Sequence, residues 1–380
     1  MGLNRITLGH ALAVACTLAL AGCGGSGYGG SSYSGGSGGS GGGYGGGGNT
    51  PTGPAYVATG LVSDGSSTTY HDANLVDGWG IAFNPQGFVW ITNNGTSTST
   101  LYDGNGVPQQ LVVKIPAGTA GNAASTGIVF NGTQDFKVSQ SGVTAASPFL
   151  FVGEAGTLSG WSPSVNLNAA VTVYDGGSAG KVYKGLATGA QGTANFLYAA
   201  DFHGAHVDVF DGNFNLVSVA GGFQDKTLPA GFAPFGIQAI GGQIFVAYAK
   251  QDSAAHDEVH GAGLGQIDVF DTSGNLIKTL VTGGPLNAPW GMAVAPANFG
   301  PFSNALLVAN FGDGKINAFD PTSGAFLGTL NKADGTPVVE DGLWGIAFGN
   351  GLNNQPVNTL FFTAGPAGES HGLYGRIDYK

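Results

Sequence analysis

Short apolar runs recur along the chain, separated by glycine, asparagine and aspartate. Six of these runs share a glycine followed by an apolar residue, and they begin at Trp79, Thr126, Lys184, Phe235, Trp290 and Trp344. The apolar runs are strand-length and rich in Val, Ile, Phe and Tyr, which favours β-structure. A repeat of about 45–60 residues is typical of propeller blades and similar arrays.

Each repeat contains further runs that read as strands. A second apolar run follows each start, at residues 88–92, 149–153, 196–200, 244–247, 306–309 and 360–363. A third run often ends in an aromatic residue and Asp, as in Phe210-Asp211, and Gly or Asn follows, which is typical of a tight hairpin. A fourth run, such as 110–115 or 275–280, completes the unit. Four strands repeated six times predict an all-β, six-bladed propeller with four-stranded antiparallel blades.

The two ends of the repeat region complement each other. The last repeat has its first three strands, and then the chain stops. A strand-like segment, residues 56–63, lies before the first repeat and can supply the missing fourth strand. Pairing these ends removes two free strand edges, so we expect the N-terminal strand to close the ring.

The first residues have the pattern of an export signal. A single Arg5 precedes an apolar stretch too short to span a bilayer comfortably, and the stretch ends in Leu20-Ala21-Gly22-Cys23. This tetrapeptide resembles the lipobox of bacterial lipoproteins, although an ordinary cleaved signal peptide is the alternative. We therefore predict a lipoprotein signal peptide over residues 1–22, acylation of Cys23 and export to the cell envelope. Gly24 is not the Asp of the inner-membrane sorting rule, which favours the outer membrane if the organism has one.

Between the signal and the repeats, the chain is nearly all Gly and Ser with a few Tyr. Such a composition cannot bury a core, so residues 23–54 are predicted to be a flexible tether and residues 55–380 the propeller. The formal net charge is −11 and only 9% of residues are charged. This balance disfavours nucleic acid as a partner. Both cysteines precede residue 24, so the propeller has no cysteine for a disulfide or a metal site. We also expect the protein to be a monomer.

The repeat unit resembles known propellers. It consists of Trp-Gly-Ile-Ala, then an apolar strand ending in a small residue and Asp or Asn, then an aromatic-Asp turn with Gly. It is similar to NHL-type and gluconolactonase-like six-bladed propellers, and the chain resembles more closely a family of exported bacterial propellers with no assigned activity. The stretches that carry this likeness are residues 74–81, 198–211, 230–237, 247–252, 283–291, 310–320 and 361–375.

Polar residues follow the second strands, whose ends are expected to meet at one face. Our alignment of these ends gives Asn93, Glu154, Asp201, Tyr248, Asn310 and Ala364. Carboxylate and amide oxygens suit Ca²⁺ or another divalent cation. The resemblance to gluconolactonase-like enzymes implies a Glu, an Asn and an Asp as metal ligands, which here are Glu154, Asp201 and Asn310 or Asn93. The alternative is that these residues form turns or bond to backbone groups between blades.

Histidines and acidic residues gather at the same predicted face. His203, His256, Asp257 and His371 are candidates for acid–base roles, and a long loop over residues 250–261 carries two of them together with Glu258 and His260. A solvated polar loop is the alternative. The tryptophans 79, 290 and 344 could form an aromatic platform at the channel mouth, or they could pack between blades.

Three functions are compatible with these features. The favoured one is a membrane-tethered, extracytoplasmic binding module for a small ligand or an envelope protein, with its site at the face of the second-strand ends. The second is a divalent-metal-dependent hydrolase of the lactonase kind, in which the metal polarises a carbonyl group. The third is a structural surface protein. The sequence does not decide whether the protein is an enzyme.

Overall fold

The structure is a computed structural model that describes residues 53–380. The predicted signal peptide, Cys23 and the predicted tether up to residue 52 lie outside the described residues. Within residues 53–380, no helix has the length and hydrophobicity needed to cross a membrane.

The described chain forms six antiparallel blades around one axis. Strands β1 (Tyr56–Ser63) and β2 (Tyr70–His71) come first, and five complete blades follow. Strands are given from the inner to the outer one. The first blade consists of β3 to β6 (Gly78–Phe83, Val89–Asn93, Thr98–Tyr102, Pro108–Lys114), the second of β7, β10, β11 and β12 (Ser125–Phe130, Phe149–Gly153, Thr157–Trp161, Val171–Asp175), and the third of β13 to β16 (Tyr183–Gln191, Ala194–Asp201, His206–Asp211, Leu216–Val217). The fourth blade consists of β17, β18, β20 and β21 (Phe232–Ile240, Gln243–Gln251, Gln266–Phe270, Leu276–Thr282), and the fifth of β22 to β25 (Pro289–Val294, Leu306–Asn310, Ile316–Phe319, Phe326–Thr329).

The sixth blade joins the two ends of the described chain. Strands β26 (Leu343–Phe348), β27 (Leu360–Ala364) and β28 (Leu373–Tyr379) are followed in the sheet by β1, which pairs antiparallel to β28 from Tyr56 opposite Tyr379 to Ser63 opposite Leu373. The inner strand β26 also contacts β3 of the first blade. The predicted closure of the ring by the N-terminal strand is therefore confirmed.

Three blades carry additions, and in the sixth the short strand β2 pairs parallel with β1. A hairpin of β8 (Lys137–Gln140) and β9 (Val143–Ala146) extends the second blade, and β19 (Glu258–Val259) pairs with the end of β18 in the fourth. The predicted loop over residues 250–261 is thus a short hairpin extension, because Lys250 and Gln251 continue β18 and pair with Val259 and Glu258. Single 3₁₀ turns occur at Gly177–Ala179 and Gly300–Phe302.

The apolar core is divided among the seams between blades. Six buried clusters each join two neighbouring blades, and a seventh lies on the axis. At one seam, Trp90 of the first blade stacks on Phe149 of the second at a ring distance of 4.1 Å. Because each sheet buries both faces against its neighbours, the inner strands are apolar on both sides rather than alternating.

The repeated inner-strand glycines are explained by the close approach of neighbouring blades. A Cβ atom added to Gly291 would lie 2.5 Å from the carbonyl oxygen of Trp344 and 3.0 Å from the amide nitrogen of Ile346. Both atoms belong to the backbone of the next inner strand, so neither can rotate away. Equivalent approaches occur at Gly80, with Thr126, and at Gly345, with Trp79.

Replacing Gly291 with Ala is therefore expected to lower the free energy of unfolding by about 1–3 kcal/mol, the usual range for overpacking. Urea denaturation followed by circular dichroism measures this change. Gly65→Ala is the matched control, because a Cβ atom there meets nothing within 4 Å. Equal stability of the two variants would contradict this explanation of the repeated glycine.

Candidate functional site

Two sets of equivalent positions surround the axis where the second strands end. The first set comes from the inner strands and consists of Trp79, Thr126, Lys184, Phe235, Trp290 and Trp344. The second set lies at the ends of the second strands and consists of Asn94, Glu154, Phe202, Ala249, Phe311 and Gly365, of which Ala249 is still within β18. Most of these side chains are apolar and form the axial cluster. Trp79 and Trp344 stack at 3.5 Å, and Phe311 stacks on Trp344 at 3.9 Å.

The axial cluster closes the centre of the ring. Trp290 meets the edges of Trp79 and Trp344 at ring distances of 6.1 and 5.9 Å. Beyond the cluster, a narrow space of about 30 Å³ lies along the inner-strand glycines. The three tryptophans thus pack on one another across the axis, and Trp79 also contributes to the floor of a cavity at the face of the second-strand ends.

The alignment of second-strand ends made from the sequence is wrong by one residue in the second blade. Strand pairing makes Gly153 the equivalent of Asn93, since Gly153 lies opposite Ser125 as Asn93 lies opposite Gly78. Glu154 is instead equivalent to Asn94, and Asn94 donates a hydrogen bond from Nδ2 to Glu154 Oε2 at 2.9 Å. A shift of one residue moves a side chain to the other face of a strand.

The other three predicted metal ligands are engaged within their own blades. Asn93 donates to the hydroxyl groups of Thr98 and Thr100, and its Oδ1 has no partner among the described residues. Asn310 donates to Asp313 Oδ1 and to the carbonyl oxygen of Pro285. Both amide side chains are completely buried. The structure therefore does not bring them to Glu154.

Asp201 belongs to a separate buried group in the third blade. Its Oδ2 lies 3.1 Å from Lys181 Nζ, and the same ammonium group lies 2.6 Å from Asp208 and 3.0 Å from His206 Nε2. Tyr183 donates to Asp208 at 2.6 Å. Burial by itself would lower the pKa of Lys181, but Asp208 and Asp201 hold it above its usual value. The lysine thus occupies the centre of this acidic group.

A cavity with a volume of about 720 Å³ opens at the face of the second-strand ends. It is lined by Asp77, Trp79, Asn94, Glu154, Lys184, His256, Asp257, Glu258, His260, Phe311, Gly312, Asp313, Gly314, Val339, Asp341, Gly342, Gly365, Gly368 and Glu369. We call it the axial cavity. Seven of these residues are acidic, whereas Lys184 is the one lysine or arginine among the described lining residues.

Lys184 connects three blades at the floor of the axial cavity. Its side chain is only 1% exposed, and its ammonium group is bonded to Glu154 of the second blade and lies 3.2 Å from Asp257 of the fourth. Nζ also lies 5.2 Å from the centre of the Trp79 ring. Burial alone would lower the pKa of Lys184, but Glu154 raises it above the ordinary value. The raised pKa favours the charged ammonium form of Lys184.

Asp77 holds the tryptophan pair in position. Trp79 Nε1 donates to Asp77 Oδ2 at 2.7 Å, and Trp344 Nε1 donates to Oδ1 at 3.2 Å. Asp77 has a φ of 52°, in the left-handed region. Burial, with a contribution from Glu369, raises the pKa of Asp77 to about 8. One carboxyl group thus fixes two stacked indoles at the cavity floor.

Four acidic residues from the fourth, fifth and sixth blades form the other side of the cavity. This acidic wall consists of Glu258, Asp313, Asp341 and Glu369. Glu258 accepts from His260 at 3.0 Å, and Asp313 lies 3.1 Å from Lys315 Nζ. The Glu369 side chain has no hydrogen-bond partner within residues 53–380. Burial, and then the charges of Glu258 and Glu154, raise the pKa of Glu369 to about 7.

The predicted histidines are distributed over three places. His256 and Asp257 line the axial cavity and bond to each other at 2.9 Å, and together with Glu154 they offer ligand atoms within 4.8 Å of one another. His203 lies in a neighbouring cavity. His371 is 58% exposed and pairs with Asp64 at 2.8 Å, away from the lining of the axial cavity.

The neighbouring cavity has a volume of about 600 Å³ and shares Glu154 and His256 with the axial cavity. Its remaining lining residues are mostly small or apolar, namely Ala120, Asn122, Ala124, Ala155, Gly177, Gly180, Lys181, Val182, His203 and Ala254. We call it the side cavity. The two cavities thus adjoin across Glu154 and His256.

Sequence reasoning missed Lys184 and Asp77. A signal for Lys184 was present, because it occupies the inner-strand position that is Trp or Phe in four of the other five blades. A charged residue in an otherwise apolar series indicates either a partner of opposite charge or a functional role, because an unpaired buried charge is costly. Asp77 has no comparable signal, because its role depends on two indoles that are distant in sequence.

Comparisons with known proteins bear on the family and on the fold. No family model matches the chain. The uncharacterized protein R648 of Acanthamoeba polyphaga mimivirus is 34% identical in an alignment of 327 residues that covers 83% of this chain and 78% of that protein. The uncharacterized protein L690 of the same virus is 31% identical in an alignment of 326 residues that covers 83% of this chain and 84% of that protein. The chain belongs to the family of these mimivirus proteins. The expectation of bacterial relatives is thus corrected, since both of these members are viral.

A solved structure supports the architecture. A catalytically inactive variant of virginiamycin B lyase from Staphylococcus aureus, solved with quinupristin, matches with a TM-score of 0.50 and 12% identity, covering 86% of this chain and 100% of that one. At this identity the likeness concerns the fold alone. The predicted six-bladed propeller is confirmed.

Proposed function

We propose that this protein is a binding module that takes a small ligand in the axial cavity. The observation that carries the proposal is the cavity itself, whose volume of about 720 Å³ lies within the range of known small-molecule sites, about 300–1,000 Å³. Its floor is rigid, because Trp79 and Trp344 stack and share the Asp77 carboxyl group. A rigid floor reduces the ordering cost of binding.

A fragment screen by saturation-transfer NMR on the purified full chain tests this proposal. Val339 lines the cavity and is 48% exposed, so Val339→Trp is expected to fill space at the rim without disturbing the core. Fragments that bind the natural chain should lose at least about tenfold in affinity for this variant, as expected when a ligand and a large side chain compete for one space. Val357→Trp is the matched control, because Val357 is 54% exposed and does not line the cavity. The proposal fails if no fragment distinguishes the two variants.

A second candidate function is a divalent-metal-dependent hydrolase. The observation that favours it is the group of Glu154, His256 and Asp257, whose ligand atoms are mutually close. A bound Ca²⁺ or other divalent cation would polarise a substrate carbonyl group, and His256 could carry a proton. Lys184 competes with such an ion, because its ammonium group already neutralises Glu154 and Asp257. Metal content of the purified protein, compared with that of Glu154→Gln, separates this candidate from metal-free binding.

We also propose that the module is anchored in the cell envelope through acylated Cys23, with the Gly- and Ser-rich segment as its tether. The lipobox-like Leu20-Ala21-Gly22-Cys23 supports this, and the tether is long enough for a reach of about 25–30 Å. Intact-mass analysis should find acyl chains on the natural chain and none on Cys23→Ser.

A further inference from the structure

The charges in the axial cavity are distributed unevenly. On one side, Lys184 lies between Glu154 and Asp257 and compensates them. On the other side, the acidic wall has His260 as its one basic lining residue within the described chain. Lys315 reaches Asp313 from outside the lining. Within residues 53–380, Glu369 and Asp341 form no salt bridge, and the charges of Lys184 and His260 act on Glu369 only from beyond that distance. Acidic lining residues outnumber basic ones, so the cavity has an excess of negative charge at this wall.

The acidic wall is suited to an extended cation rather than to a metal ion. Within residues 53–380, the groups whose ligand atoms converge within 4.8 Å are Glu154 with His256 and Asp257, and Asp201 with His206 and Asp208. Neither group includes a residue of the acidic wall, so these carboxylates do not converge on one point. Phe311 is partly exposed beside the wall and offers an aromatic surface, which attracts organic cations.

The side cavity provides space for a second part of the ligand. It adjoins the axial cavity across Glu154 and His256, and its lining includes Ala120, Ala155 and Val182. The lining also includes Asn122, Lys181 and His203, but most of its residues are small or apolar. It is therefore suited to an aliphatic chain, and Lys181 disfavours a second positive charge there. A ligand that occupied both spaces would therefore have a cationic end and an apolar end.

We infer that the ligand is an elongated organic cation, whose ammonium or guanidinium end lies against the acidic wall and whose apolar part extends across Glu154 and His256 into the side cavity. This inference rests on the proposed function, and it specifies the chemical class of the ligand. The raised pKa of Glu369 agrees with it, because burial, and then the charges of Glu258 and Glu154, oppose ionisation of this carboxyl group until a cation is present.

Isothermal titration calorimetry with defined probes tests the inference on the full chain. The probes are tetramethylammonium and the butyl, hexyl and octyl trimethylammonium ions, with hexyl sulfate and hexanol as the anionic and neutral compounds of matched length. Affinity for the cations should rise by up to about fourfold per methylene, which corresponds to about 0.8 kcal/mol. Hexyl sulfate should not bind detectably, and hexanol should bind more weakly than the hexyl cation.

Variants separate the two parts of the site. Asp341→Asn combined with Glu369→Gln should weaken all the cations alike, by up to about fivefold for each carboxylate removed. Ala254→Trp should reduce the dependence of the affinity on the length of the alkyl chain, because Ala254 lines the side cavity. Ser253→Trp is the matched control in the same hairpin and should leave that dependence unchanged. Thermal melting of each variant confirms that it is folded.

Two kinds of failure can be told apart. The inference is overturned if the compounds whose binding is weakened by Val339→Trp are neutral or anionic, or if the chain length of the cations has no effect on their affinity. In either case the axial cavity is still a binding site. The inference is also overturned if Ser253→Trp acts like Ala254→Trp. If no compound of any charge is sensitive to Val339→Trp, the proposed binding function itself fails.

Discussion

Replacing Tyr56 with Ala is expected to lower the free energy of unfolding by about 3–5 kcal/mol, the usual cost of truncating a buried aromatic residue. Tyr56 is 3% exposed and begins the strand that closes the ring. Its ring lies 5.1 Å from Phe299, 5.9 Å from Phe302 and 5.1 Å from Tyr379. Its hydroxyl group donates to the carbonyl oxygen of Phe299 at 2.8 Å. The substitution therefore leaves a cavity at the seam between the fifth and sixth blades.

Val57→Ala is the matched control, because Val57 is the next residue of the same strand and is 41% exposed. Its loss should be less than about 1 kcal/mol, as is usual for exposed sites. Urea denaturation followed by circular dichroism measures both variants. If both lose the same small amount, closure by β1 contributes little to the stability of the ring.

The closure strand was predictable because two independent features of the sequence agree. The repeat lacks its last strand, and an unassigned strand lies before the first repeat. Blade number and strand order depend in the same way on spacing and on turn residues such as Gly274 and Gly324, which have positive φ values of 75° and 74°. These are local properties, so a single sequence specifies them well.

The site was less predictable, because its geometry depends on register. The sequence around Glu154 gives no sign that Gly153, not Glu154, pairs as the last residue of its strand. The difference of one residue decides whether a side chain lies inside a blade or faces the axis. Asn93 and Asn310 look like ligands in the sequence, but in the fold they satisfy groups within their own blades.

The axial cluster relates the fold to its proposed use. In four of the six blades the inner strand contributes Trp or Phe to the centre of the ring, and these side chains close it. Such a closed centre produces a cavity with a floor instead of a pore. Lys184 and Glu154 introduce charge into this floor, so one side of the axis differs chemically from the other.

Replacing Lys184 with Met is expected to lower the free energy of unfolding by about 3 kcal/mol, near the lower limit for breaking a buried ion pair. Methionine has a similar length and can keep the contacts with Trp79, but it leaves Glu154 without its cation. The exposed Asp257 adds little to the loss, because solvent screens its charge. Lys250→Met is the control, since Lys250 is an exposed lysine near the end of β18 in the fourth blade.

Two further measurements identify the charge as the cause of this loss. Although burial alone would raise the pKa of Asp257, Lys184 and His256 hold it below its usual value. A carboxyl group with a lowered pKa stabilises the fold above its unfolded pKa and loses this contribution as the pH falls. The small contribution of Asp257 to the difference between the natural chain and Lys184→Met should therefore be present near neutral pH and should disappear in acid, and NMR titration should find the pKa of Asp257 raised in the variant. Combining Lys184→Met with Glu154→Gln should restore part of the stability, because the uncompensated carboxylate is gone. If the double variant is as unstable as Lys184→Met alone at every pH, lost packing rather than charge explains the effect.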